Sequence, residues 1–64
     1  MKIETIEEMI ELINDHYNET AVSLVMGHKY PFLYDVDGKL LATRINDIYC
    51  VLSGIIYAIN LSTR

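Results

Sequence analysis

The chain has 64 residues, with nine carboxylates against five lysines and arginines and a net charge of −4. That length makes one domain with no room for a second, and the acidic balance disfavours direct nucleic-acid binding, which needs a basic face against the phosphates. Cys50 is the only cysteine, so an internal disulfide and any Cys/His zinc spacing are excluded. A chain this small buries only about 60% of the surface it exposes when unfolded, and oligomerisation is then the remaining way to enlarge a modest core.

Charge is unevenly spread. Residues 1–19 carry one lysine and six carboxylates, a net −5, whereas residues 20–64 are close to neutral at +1. The opening stretch MKIETIEEM is acidic and has no apolar signal core. Together with a lone cysteine, this points to a reducing, cytoplasmic setting.

Ile3, Ile6, Ile10, Ile13 and Tyr17 follow 3-4-3-4 spacing, widened by Met9 and Leu12. The pattern predicts an amphipathic helix over 4–18 with its apolar stripe turned inward. Thr5 and Glu8 have the spacing of a capping box, and Asn18 with Thr20 ends the helix. Ala21–Met26 reads as a strand with Val22, Leu24 and Met26 on one face, and Gly27-His28-Lys29 turns the chain.

Tyr30–Val36 and Lys39–Arg44 flank Asp37-Gly38, the pair best suited to the two positive φ angles of a two-residue hairpin turn. That turn would pair Val36 with Lys39, Tyr34 with Leu41 and Phe32 with Thr43. Tyr30, Phe32, Tyr34 and Leu41 would then share one face, and Leu33, Leu40 and Ala42 the other. Apolar side chains on both faces suggest that both are at least partly covered. Pro31 cannot donate to a ladder and belongs at a strand start or an edge.

Ile48–Thr63 contains no charged residue. It reads as too short and too polar, at Ser53, Gly54 and Asn60, to cross a bilayer, which takes about 20 apolar residues. Ile45, Ile48, Leu52, Ile55 and Ile59 show helical spacing, with Asn46 or Asp47 available as N-cap. This favours a helix over 46–60, although Gly54 costs roughly 1 kcal/mol mid-helix relative to Ala and a second hairpin (IYCVL-SG-IIYAI) is the rival. The fold class is therefore α+β: a single small domain, α-β-β-β-α, with a three-stranded antiparallel meander and two packing helices.

Few residues promise chemistry. Asp35-Val36-Asp37-Gly38 has its glycine too early for a calcium loop, and its twelfth position is Asn46. His16 is expected at the core margin and His28 in a turn, neither with a second ligand at metal spacing. Cys50, inside an apolar run, is expected to be inert packing. A chain this small also leaves little room for an enclosed pocket. No enzyme, cofactor or metal is expected.

Interaction surfaces are better supported. Glu4, Glu8, Glu11 and Asp15 fall on the outer face of the first helix; like charges at this spacing oppose one another by about 0.2–0.5 kcal/mol per pair. They form either a solvated face or a docking stripe for a basic groove on another protein. Tyr30, Phe32 and Tyr34 make an aromatic row that is core or interface. Tyr49, Leu52, Ile55, Ile56, Tyr57 and Ile59 on the last element are expected to serve self-association, because one sheet and one helix cannot bury them all.

The expected role is a non-enzymatic protein–protein interaction module, a homodimer in the cytoplasm that binds and modulates, by inhibition, a larger protein. Tiny acidic single-domain chains are often phage- or mobile-element-encoded inhibitors of host or defence enzymes. Two alternatives remain: a small structural subunit of a larger assembly, and a dimeric nucleic-acid-binding regulator, for which Lys29, Lys39 and Arg44 supply at most a weak basic stripe.

Overall fold

The computed structural model describes residues 3–62. Its first helix, α1, runs Ile3–Tyr17 and buries Ile6 and Ile13, two turns apart on the predicted stripe. Because the helix is already under way at Ile3, Thr5 and Glu8 stand inside it and form no capping box. Asn18 ends the helix with φ at 56°. Its N–H donates to the Asp15 carbonyl and the Glu19 N–H to the Asn14 carbonyl, both at 3.2 Å. This double closure around a left-handed residue satisfies two of the carbonyls a helix end leaves open.

Three strands follow: β1 (Val22–Met26), β2 (Pro31–Asp35) and β3 (Leu40–Ala42). They form an antiparallel sheet in the order β1-β2-β3. Pro31 opens the central strand opposite Met26, where no ladder donor is missed.

The second hairpin differs from its expected register. Only Gly38 and Asn18 have positive φ among the described residues, so a turn needing two such residues does not form. Gly38 adopts φ 82° and donates its N–H to the Asp35 carbonyl at 3.0 Å, while the Asp35 N–H donates to the Lys39 carbonyl at 2.9 Å. Asp35 Oδ1 accepts from the N–H groups of Asp37 at 2.9 Å and Lys39 at 2.8 Å. Asp35 thus folds its own loop into three residues closed by a left-handed glycine, a shape hairpins adopt next most often. Lys39 lies across from Asp35 instead of Val36. Tyr34 pairs with Leu40 and Leu33 with Ala42, leaving Leu41 as the extra residue of a bulge.

The last helix, α2, spans Ile45–Ser62, so the rival second hairpin is absent from this stretch. Its first bond is donated by the Ile48 N–H to the Arg44 carbonyl at 2.7 Å. Neither Asn46 nor Asp47 is the N-cap, since both lie inside the first turn. By length and composition alone α2 could cross a membrane, contrary to the reading of its polar residues. In the fold it supplies Ile48, Leu52 and Ile59 to the core.

That core is one cluster: Ile6, Ile13, Val22, Leu33, Ile48, Leu52 and Ile59. Leu24 and Ala42 pack against it and share a face with Val22 and Leu33 by the register. Both helices therefore lie on this one face of the sheet, and the molecule has two layers.

Candidate functional site

The opposite face of the sheet is left bare. Ser23 stands across from Tyr34 and Val25 from Phe32, while Tyr34 also stands across from Leu40. Directly opposed residues share a face, so Ser23, Val25, Phe32, Tyr34 and Leu40 form one surface without a charge. Val25 is 50% exposed and Leu40 46%; Phe32 and Tyr34 are half-buried. The expectation that both faces are at least partly covered is met unevenly: Ser23, Phe32 and Tyr34 are partly buried, but no helix lies over them, because both helices are used on the other face.

The aromatic row is accordingly rearranged. Phe32 and Tyr34 share this outer face, Leu40 replaces Leu41 beside them, and Tyr30 stands outside the strand in the β1–β2 turn. Phe32 folds its ring over Gly27, whose N–H donates to the Tyr30 carbonyl at 3.0 Å. The Arg44 guanidinium carbon sits 5.7 Å from the centre of the Tyr30 ring.

The six residues of α2 expected to serve self-association divide between two sides. Leu52 and Ile59 belong to the buried core and are unavailable to a partner, because the helix needs them against α1 and the sheet. Ile55 and Ile56 are half-buried against that core. Tyr49 and Tyr57 are exposed, Tyr57 by 65%. Tyr57 shares its outward face with Cys50, Gly54 and Leu61, all exposed, the four standing at i, i+4, i+7 and i+11. Cys50 is therefore at the surface and not in the packing. A side chain at Gly54 would meet nothing within 4 Å, so the glycine does not serve a close approach inside this chain.

Glu4, Glu8, Glu11 and Asp15 are all exposed, on the side of α1 away from Ile6 and Ile13. No ion pair neutralises them among the described residues. His16 is exposed rather than at the core margin, its ring edge-on to Tyr17 with centroids 4.9 Å apart. Among the described residues no group of three His, Cys, Asp or Glu side chains is placed to hold a metal. Sequence reading missed two things: the bare outer sheet face, and the side chain of Asn14, which binds the backbone of Val22. An asparagine carries no periodicity signal, so only the tertiary placement reveals its role.

The chain matches no protein-family model, no curated protein and no solved structure.

Proposed function

We propose that the chain is a non-enzymatic interaction module that pairs with a second copy through the outer face of its sheet and presents its acidic helix to a larger protein. The observation that carries this reading is the uncharged surface of Ser23, Val25, Phe32, Tyr34 and Leu40, uncovered in a two-layer fold. Covering such a face is the main route by which so small a core gains stability.

Charge distribution favours a second copy as the occupant. Two chains of net −4 repel wherever their acidic surfaces meet. Joined sheet to sheet, they would meet on a surface free of charge, with Glu4, Glu8, Glu11 and Asp15 in the two outer layers, on opposite sides of the pair. The same arrangement leaves both acidic stripes free for a basic groove, where complementary charge speeds encounter.

Light scattering of the purified chain at micromolar concentration tests the pairing. The wild type should be a dimer, Tyr34→Lys and Val25→Lys monomers, and Tyr57→Lys still a dimer. A monomeric wild type overturns the pairing, and a dimer lost only in Tyr57→Lys moves it to α2. Loss of the larger partner on Glu8→Lys with Asp15→Lys, without loss of the dimer, would support the acidic stripe as the second contact.

A further inference from the structure

The β1–β2 turn and the start of α2 border an open cleft of about 360 Å³, lined by Lys29, Tyr30 and Pro31 and by Arg44, Ile45 and Asn46. No carboxylate lines it, although the chain carries nine. Two of the three lysines and arginines among the described residues converge here, and both are exposed. Neither forms an ion pair among the described residues. In so acidic a chain, two unpaired cations lining one cleft, with the nearest carboxylate in sequence, Asp47, outside its wall, fit an incoming anion.

The cleft also has a built wall. Arg44 lies over the Tyr30 ring at 5.7 Å, a contact that restrains the guanidinium while using none of its N–H donors. Lys29 adds a second point charge, so the pair matches a group carrying two negative charges. A phosphate monoester carries about −1.5 to −2 at neutral pH, whereas a carboxylate carries one. The volume exceeds what a bare phosphate fills and falls in the range of small-ligand sites, about 300–1,000 Å³. The surplus is bounded by Tyr30, Pro31 and Ile45, which are apolar surfaces.

We propose that this cleft binds a small organic phosphate, its phosphate held by Lys29 and Arg44 and its organic part resting on Tyr30, Pro31 and Ile45. The site is separate from the bare sheet face and does not depend on self-association.

Titrating the full chain with phenyl phosphate and with inorganic phosphate, at constant ionic strength and followed by amide NMR shifts, tests it. Saturable shifts are expected to be confined to the amides of residues 29, 30, 32 and 44–47, with phenyl phosphate the tighter ligand. Lys29→Gln should weaken binding about tenfold or more, as loss of a charged hydrogen bond does. Arg44→Lys, which keeps the charge and loses the planar fork, should weaken it less. Both side chains are exposed, so a native amide spectrum is expected in each variant and separates lost binding from lost folding. Shifts that fail to saturate, that spread over the surface, or that survive Lys29→Gln unchanged overturn the proposal. Equal affinity for the two phosphates overturns the organic part of it.

Discussion

The carboxamide of Asn14 and the backbone of Val22 exchange two hydrogen bonds, Nδ2 donating to the Val22 carbonyl and the Val22 N–H to Oδ1, each at 3.0 Å. The side chain stands where a neighbouring strand would. Asp35, opposite Val22, turns its N–H toward Lys39, so Val22 turns its own groups to the open side of β1. Asn14 thus closes the first rung of an edge strand, a place where unpaired backbone invites another chain. The closure is prepared one turn earlier, because the Asn14 carbonyl also accepts the Glu19 N–H that ends α1.

Asn14→Ala removes both bonds and leaves part-buried backbone groups unpaired. A loss of about 1–3 kcal/mol is expected, read as a lower urea midpoint with an unchanged slope. Asn14→Asp keeps the acceptor for the Val22 N–H but sets a carboxylate against the Val22 carbonyl. It should therefore fall below wild type at neutral pH; equal stability of all three would show the pair to be energetically idle.

Gly27 is held by its neighbours. A Cβ there would lie 2.6 Å from the Tyr30 carbonyl oxygen and against the Phe32 ring. Gly27→Ala should cost about 1–3 kcal/mol by overpacking, and the cost should shrink but persist in a Phe32→Leu background, since the backbone oxygen remains. Thermal unfolding of the four proteins of this cycle measures the coupling; strict additivity would contradict the contact.

The two sides of α2 should respond oppositely. Leu52 is fully buried, so Leu52→Ala is expected to cost about 2–5 kcal/mol, enough to unfold much of so small a domain. Gly54 faces open space, and Gly54→Ala should stabilise by up to about 1 kcal/mol through helix propensity. A destabilising Gly54→Ala, seen by denaturant titration, would mean that another molecule packs on that face.

Cys50 is exposed on the same outward side. Its thiol in the native chain should react with a thiol reagent at close to the rate in denaturant, and pairing through the sheet face should leave that rate unchanged. Protection that rises with protein concentration would place the self-contact on α2 instead.

Strong periodicity made the two helices and their buried stripes readable: the spacing of Ile6 with Ile13, and of Ile48, Leu52 and Ile59, has one inward side whatever the tertiary detail. The hairpin was readable as a hairpin, but its register was not. Asp37-Gly38 suits a two-residue turn locally, and the side chain of Asp35 overrides that preference by binding two N–H groups of a longer loop. That one-residue change moves Leu41 out of the ladder and brings Leu40 beside Tyr34. Cys50 was misplaced for a different reason: in a helix apolar on nearly every side, composition cannot say which apolar residues face inward. The bare sheet face follows from both helices choosing the same side, which is a tertiary decision.

Three of the seven core side chains come from α2, the last element of the fold to be synthesised. While the ribosome is still adding Ile48 to Ile59, Ile6, Ile13, Val22 and Leu33 have already been made and lack most of what will cover them. A helix and a hairpin of this size are not stable without such packing. Folding of this domain therefore waits for its final helix.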